Sequence, residues 1–279
     1  MPNSKHFYRL GDLTFSLEMP DLEEKEELAL FRTAPCEADE SFSVTLADAI
    51  PEPTGELLFG DPFTRYYRTS DGRMTVFRDE RSQNDFMADM AVHAHHSVLL
   101  HRDFVSYINT NLVLKLLNFP RHVIAYGGIF LHASFIDVGG EAILFTGPKQ
   151  MGKSTEARLW EQHRGAEVIN GDRALLRKRD GRWYAFGSPY CGTSKICKNR
   201  ELPIRAIVIL SKAPENRAAR AGVARSLSAM LDGCSFDTWD KEQMERVTDI
   251  CGTIVTEVPF YTLACRPDEG AVEALEREL

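Results

Sequence analysis

Residues 142–155 read AILFTGPKQMGKST, and this stretch decides the fold of the second half of the chain. Four apolar residues suited to a buried strand run into a first glycine, and helix-forming residues follow a second glycine. The segment Gly147–Ser154 satisfies the pattern G-x-x-x-x-G-K-[ST], with the strand before it and the helix after it that such loops require. It predicts a phosphate-binding loop. A strand-to-helix turn that binds nothing is the alternative.

The residue types of the loop suit a nucleoside triphosphate. Gly147 and Gly152 allow a tight turn whose N–H groups surround phosphate oxygens, and the following helix adds the positive end of its dipole. Lys153 is predicted to contact the β- and γ-phosphates, and Ser154 to ligate Mg2+. The other predicted nucleotide contacts are Pro148, Lys149, Gln150, Met151 and Thr155. ATP and Mg2+ are therefore the expected cofactors.

A second acidic element follows the loop in sequence. Val168 and Ile169 form a short apolar strand that leads through Asn170 and Gly171 to Asp172. An acid at the end of such a strand is placed beside the metal and the γ-phosphate. Asp172 is thus the predicted metal ligand and general base, although Asn-Gly-Asp is also ordinary turn chemistry.

Three further sets of residues are weaker candidates. His132, beside an apolar run, has the pattern of a packing residue. The stretch Gly187–Lys195 is rich in glycine and hydroxyl groups and could close over phosphates or hold an acceptor, or be a plain turn. Its candidate substrate contacts, together with Arg173, are Ser188, Gly192, Thr193, Ser194 and Lys195. The histidines at 93, 95, 96 and 101 are expected on a solvated face rather than at a metal.

Composition excludes several classes of protein. The chain has 279 residues, 43% of them hydrophobic, which is enough for one or two ordinary cores. A net charge of −8 argues against nucleic-acid binding, because phosphate backbones select basic surfaces. We expect no membrane span, no secretory signal and a cytoplasmic location. The six cysteines form no CxxC pair and are interpreted as reduced.

The two halves of the chain differ in pattern. Residues 7–89 show short apolar patches broken by turn residues and are predicted to be β-rich; apolar spacings over 104–131 predict a helical connector. The predicted domains are a β-rich region at 1–103 and a connector with a phosphate-loop domain at 104–279. Helices are predicted over 153–163, 216–231 and 239–256 and from Pro267 onward, and strands over 135–138, 142–145, 168–169, 204–210 and 260–265.

Three stretches around the predicted phosphate-binding loop resemble a known family. LHASFID at 131–137, GEAILFTGPKQMGKST at 140–155 and AEVINGDRALL at 166–176 resemble the C-terminal kinase domain of HPr kinase/phosphorylase. These stretches are more similar still to bacterial HPr-kinase-like proteins, a group that includes lasso-peptide kinases. The resemblance implies a mixed sheet with packed helices, the fold also found in phosphoenolpyruvate carboxykinase, and a homo-oligomer as a possible assembly.

The resemblance also implies roles for single residues. His132 matches a histidine that acts near the phosphates, and Lys153 and Ser154 match the phosphate and Mg2+ contacts. Asp172 matches the acid that takes the acceptor proton. Where the family carries two adjacent acids, this chain has Gly171 before Asp172, so one carboxylate is absent.

The predicted function is an ATP-dependent kinase that phosphorylates a hydroxyl, with serine as the expected acceptor, on a peptide, protein or small molecule. The alternative from another class is a non-catalytic ATP sensor or a peptide-binding accessory protein. A carboxykinase-like enzyme would need a further metal site that the sequence does not supply.

Overall fold

The computed structural model of the chain describes residues 3–279. They form two compact units, one extending to Phe119 and the other running from Pro120 to Leu279. Each unit is built on its own mixed sheet. Among the described residues, no helix is both long enough and apolar enough to cross a bilayer.

The first unit is a nine-stranded sheet with short helices, which confirms the β-rich character predicted for this region. Its strands are β1 Asn3–Leu10, β2 Leu13–Pro20, β3 Arg32–Thr33, β4 Glu40–Ala47, β5 Glu56–Gly60, β6 Thr64–Arg68, β7 Arg73–Arg78, β8 Asp85–Val92 and β9 His95–His101, and its helices are α1 Glu26–Ala29 and α2 Thr110–Leu116. The order across the sheet is β3-β1-β2-β4-β9-β8-β7-β6-β5, and β4 is parallel to both β2 and β9. A 3-10 helix over Arg102–Tyr107 precedes α2.

The solvated face expected for the histidines is wrong for His96, which is only 3% exposed. Its Nδ1 lies 3.0 Å from a carboxylate oxygen of Asp89, and its Nε2 lies 3.3 Å from Glu40 Oε2. The Phe42 ring stacks on the imidazole with 4.4 Å between ring centroids. Burial alone lowers the pKa of His96, but the hydrogen bonds to Asp89 and Glu40 outweigh it and raise the pKa from 6.5 to about 9.

Because the protonated His96 is buried between two carboxylates, we predict that the first unit loses stability as the pH becomes alkaline. Because the folded-state pKa of His96 lies above the unfolded value, the stabilisation is complete below pH 6.5 and is lost as the pH rises through about 9. We expect a decrease on the order of 3 kcal/mol in the free energy of unfolding. Urea unfolding of wild type and His96→Gln across this range measures it. A decrease of equal size in the variant would contradict the assignment to His96.

The second unit carries an eight-stranded mixed sheet flanked by helices. Its strands are β10 Gly128–Val138, β11 Glu141–Thr146, β12 Glu167–Asn170, β13 Arg173–Arg179, β14 Arg182–Phe186, β15 Glu201–Lys212, β16 Arg217–Arg220 and β17 Phe260–Cys265. Helix α3 Phe119–Ala125 begins at the boundary of the units, and α4 Lys153–Arg164, α5 Val223–Gly233, α6 Lys241–Glu257 and α7 Glu269–Glu276 follow.

Strand β10 organises this unit because it pairs along both of its edges. On one edge it is antiparallel to β11, with Ala133 opposite Thr146. On the other edge its first half pairs with β13 and its second half with β12. The chain turns from β12 to β13 at Gly171 and Asp172, directly beside the middle of β10. The loop that follows β11 and the turn that precedes β13 are thereby brought to the same stretch of β10.

Alternation of side chains along β10 gives its two faces different tasks. Ile129, Leu131, Ala133 and Phe135 point into a core cluster shared with Met230, Val247 and Cys251 of α5 and α6. On the opposite face, Ile136 joins a cluster that contains Ala157 and Trp160 of α4 and Val272 and Leu275 of α7. His132 and Ser134 lie on this second face, the side on which α4 packs.

Most predicted elements are confirmed, and two are corrected. The helix predicted over 216–231 is wrong at its start, because Arg217–Arg220 forms β16 against β17 and the helix begins only at Val223. Alanine and arginine favour helices, but pairing at a sheet edge overrides that preference here. The helical connector is wrong beyond Ala125, since Gly127 takes a left-handed φ of 72° and β10 follows at Gly128.

Candidate functional site

The loop between β11 and α4 is a tight turn that its glycines make possible. Gly147 has φ 147° and Gly152 has φ 103°, backbone conformations that residues with a side chain rarely adopt. Inside the loop, the Met151 amide donates to the Pro148 carbonyl at 3.2 Å. Gln150 takes a left-handed φ of 64°. Residues 148–150 are exposed, whereas the Met151 side chain packs against the core cluster below the loop.

Lys153 turns its ammonium group back into this loop. Its Nζ donates to the carbonyl oxygens of Gly147 at 3.0 Å and Pro148 at 3.2 Å, and the residue is only 7% exposed. Burial lowers the pKa of Lys153, and the nearby Asp172 carboxylate opposes that effect. A cation with few water contacts at a helix N-terminus is placed to bind an anion that enters the loop.

Ser154 begins the helix beside the turn that carries Asp172. Its Oγ lies 3.5 Å from both the carbonyl oxygen of Gly171 and the Oγ of Ser134. The buried Ser134 hydroxyl also donates to the Gly171 carbonyl, at 3.2 Å. The two serines thus tie the start of α4 to the Gly171–Asp172 turn across the face of β10.

The turn itself is fixed from below by Asn170, which is fully buried. Its Oδ1 accepts from the amides of Asp172 at 2.9 Å and Arg173 at 2.8 Å, and its Nδ2 donates to the Ser188 carbonyl at 2.8 Å. The carbonyl of Asp172 accepts from the Ala133 amide at 2.9 Å. These bonds fix the backbone of Asp172 and with it the direction of its Cα–Cβ bond.

His132 and Arg173 flank the Asp172 carboxylate. His132 Nε2 lies 3.4 Å from Asp172 Oδ1, and Arg173 Nε lies 3.7 Å from Oδ2. The hydrogen bond from His132 is the main cause that lowers the pKa of Asp172, and the charges of Arg173 and Lys153 add to it while burial opposes it. Asp172 is therefore an ionised carboxylate at neutral pH. Arg173 is held in place from its other side, where Nη1 donates to Ser235 Oγ at 3.1 Å.

The segment Gly187–Lys195 packs directly on this turn. Ser188 is fully buried, and its Oγ donates to the Arg173 carbonyl at 2.6 Å. Gly192 has φ 58°, and a Cβ atom added to it would lie 2.8 Å from both Cγ and Oδ1 of Asp172. Only a glycine can approach the carboxylate this closely.

The position of Ser194 leaves no room for a side chain at position 171. A Cβ atom on Gly171 would collide with Ser194 Oγ and lie 2.6 Å from Ser194 Cβ. The Ser194 hydroxyl therefore fills the space that a second acid would need. Thr193 and Lys195 lie on the exposed part of the same segment.

Gly192→Ala is expected to destabilise the protein more than glycine-to-alanine strain alone. Gly181, in the turn between β13 and β14, has φ 80° and nothing within 4 Å of its Cβ position, so Gly181→Ala isolates the backbone cost of about 1 kcal/mol. The clash with Asp172 should add about 1–2 kcal/mol at position 192. Urea unfolding compares the two variants, and equal losses would mean that the segment does not rest on Asp172.

The structure brings together most of the residues singled out from the sequence. His132, Lys153, Ser154, Asp172 and Arg173 meet on one face of β10, and Ser188, Gly192 and Ser194 pack around the turn that carries Asp172. For three residues of the site, the sequence predicted no role: Ser134, Asn170 and Ser235. Ser134 could have been found, because it lies two residues after His132 and alternation places both on one face. Nothing in the sequence indicates Ser235, which reaches Arg173 from the segment after α5.

No protein-family model and no curated protein matches the chain. Among solved structures, it is similar to the HPr(Ser) kinase/phosphatase from Coxiella burnetii, with 13% sequence identity and a TM-score of 0.31. That match covers 53% of this chain and 90% of the other.

Proposed function

We propose that the protein is an ATP-dependent kinase that transfers the γ-phosphoryl group to a hydroxyl. The observation that carries the proposal is the meeting of a glycine loop, its buried Lys153 and an ionised Asp172 on one face of β10. The sequence resemblance described above supports the same reaction. Phosphoryl transfer needs few covalent partners and depends on positioning and charge, which this site supplies.

Each residue then has a defined task. The loop amides and Lys153 bind the β- and γ-phosphate oxygens, and Lys153 exchanges its bonds to the Gly147 and Pro148 carbonyls for bonds to phosphate. Asp172 accepts a hydrogen bond from the acceptor hydroxyl and takes its proton. The lowered pKa of Asp172 keeps the carboxylate ionised, so that it can orient the hydroxyl and accept its proton as the transfer proceeds. His132 keeps Asp172 ionised and holds it in place.

The side chains also suit Mg2+. Ser154 Oγ and an Asp172 carboxylate oxygen are hard oxygen donors on adjoining elements, the ligand type that Mg2+ prefers alongside phosphate oxygens. When bound, Mg2+ would neutralise charge on the β- and γ-phosphates. Asp172 can direct one oxygen to His132 and leave the other for a ligand.

The acceptor class follows from the general base and from the resemblance. A carboxylate that orients a hydroxyl fits a serine or similar alcohol on a peptide, protein or small molecule. Arg173 and the segment Gly187–Lys195 line the approach to Asp172 and are the proposed acceptor contacts, with Ser188 as support from below.

One observation favours a second candidate function. Ser194 occupies the space beside Gly171, so the site holds one carboxylate where the resembled family has two. A site that binds ATP but has lost transfer, such as an ATP sensor or a peptide-binding accessory protein, would be built in this way.

Incubation with γ-labelled ATP and Mg2+ in the presence of serine-containing peptides tests the proposal. We expect ADP release and labelled acceptor, both abolished by EDTA. Arg158→Ala changes an exposed residue of α4 away from the loop and serves as a control substitution. It should release ADP and label the acceptor as wild type does. Tight ATP binding with neither hydrolysis nor transfer would instead support the sensor.

A further inference from the structure

The segment Cys191–Lys195 carries two hydroxyl residues, Thr193 and Ser194, and packs against the turn that bears the proposed general base. Residues Gly192–Ser194 form a single 3-10 turn. Gly192 lies against the Asp172 carboxylate, since a Cβ atom added to it would be 2.8 Å from Oδ1. The next residue in the turn, Thr193, is thereby held one peptide unit from a group that orients hydroxyls.

The three serine and threonine residues of the segment Gly187–Lys195 differ in the availability of their hydroxyl groups. Ser188 is fully buried and donates to the Arg173 carbonyl. Ser194 donates to the Cys191 carbonyl at 2.7 Å and accepts from the Ile196 amide at 3.3 Å. Thr193 is exposed, and its hydroxyl is not engaged with another described residue. Of the three, Thr193 has the hydroxyl whose rotation breaks no hydrogen bond that holds the segment.

The segment is anchored to the turn that bears Asp172 and does not merely lie near it. The Gly171 amide donates to the Ile196 carbonyl at 3.2 Å, and the Lys198 amide donates to the Ile169 carbonyl at 2.9 Å. Asn170 and Cys197 form an antiparallel bridge. A hydroxyl tethered in this way has a far higher effective concentration at the base than one arriving from solution.

Gly171 also borders the part of the site that is proposed to hold the phosphates. The Gly171 carbonyl lies 3.5 Å from Ser154 Oγ at the start of α4, while the Cα of Gly171 faces Ser194. One residue therefore separates the loop proposed to hold the γ-phosphate from the turn that carries Thr193. The turn that carries Thr193, the turn that carries Asp172 and the start of α4 therefore adjoin one another.

We propose, on the basis of the kinase function argued above, that Thr193 is a phosphoryl acceptor in cis. Thr193 Oγ1 attacks the γ-phosphorus of ATP, the new Oγ1–P bond forms, and the bond from that phosphorus to the β,γ-bridging oxygen breaks. ADP leaves with the electron pair, and the hydroxyl proton passes to Asp172 and then to water. The phosphothreonine adds negative charge near the Asp172 carboxylate. Repulsion between the two anions then moves the turn away from the carboxylate.

The full chain, first treated with phosphatase, is incubated with Mg2+ and ATP, and its peptides are mapped by mass spectrometry. We expect one added phosphoryl group on Thr193, formed at a first-order rate that does not change with protein concentration. Thr193→Ser should keep the modification and Thr193→Val should lose it. Thr256→Val, an exposed threonine on α6, is the control and should leave it unchanged.

The outcomes separate this inference from the kinase proposal. ATP turnover, or transfer to an added peptide, that depends on Asp172 while Thr193 stays unmodified would overturn the cis acceptor and leave the kinase intact. Phosphate on another residue, or a rate proportional to protein concentration, would also overturn it. Absence of all turnover would overturn both proposals together.

Discussion

Lys153→Ala should weaken ATP binding by about 100-fold or more, the loss expected when several charge-assisted hydrogen bonds to phosphate are removed. The effect should be large because Lys153 is buried and its ammonium group already points into the loop. Titration with a fluorescent ATP analogue or by calorimetry gives the dissociation constant.

Lys149→Ala is the matched control for this change. Lys149 lies in the same loop but is exposed, so its charge is screened by water and its loss should alter affinity only slightly. Thermal unfolding of both variants verifies that the loop still folds, since Lys153→Ala leaves two carbonyls without their donor. Similar affinities for the two variants would show that Lys153 does not contact phosphate.

Asp172→Asn should slow phosphoryl transfer by roughly 10²- to 10⁴-fold, the range expected for loss of a general base. Asparagine keeps the shape of the side chain and an oxygen that can accept from His132, so ATP binding measured without Mg2+ should change little, whereas loss of a charged metal ligand should weaken the binding of Mg2+ with ATP. Initial rates and binding constants measured on the same preparation separate the two effects.

An exposed acid provides the comparison for Asp172→Asn. Asp180 lies in the turn between β13 and β14 with φ 50°, a conformation that asparagine tolerates well. Asp180→Asn should therefore retain both binding and transfer. Transfer at the wild-type rate by Asp172→Asn would remove Asp172 from the role of base.

The part of the site that the sequence could predict is the part made by local structure. The strand, loop and helix over 141–164 are contiguous, and the residue types of the loop are those that a tight turn and an anion require. The position of Asp172 beside the loop could also be expected, because β12 and β11 flank one strand. These features depend on few long-range contacts.

The remainder depends on packing between distant segments. That Gly192 touches Asp172 and that Ser194 fills the space beside Gly171 follow from the way residues 187–198 fold back on β12. The strand at Arg217–Arg220 arises from pairing with β17 and overrides a helical composition. The burial of His96 between Asp89 and Glu40 likewise reflects pairing of β9 with β4 and β8.

We propose that Lys153, Ser154 and Asp172 act on one nucleotide. A crystal structure with Mg2+ and a non-hydrolysable ATP analogue tests it most directly. We expect Lys153 Nζ to contact the β- and γ-phosphates, Ser154 Oγ to ligate the metal, and the γ-phosphate to lie next to Asp172. A nucleotide bound elsewhere, or bound in the loop with its γ-phosphate directed away from Asp172, would contradict it.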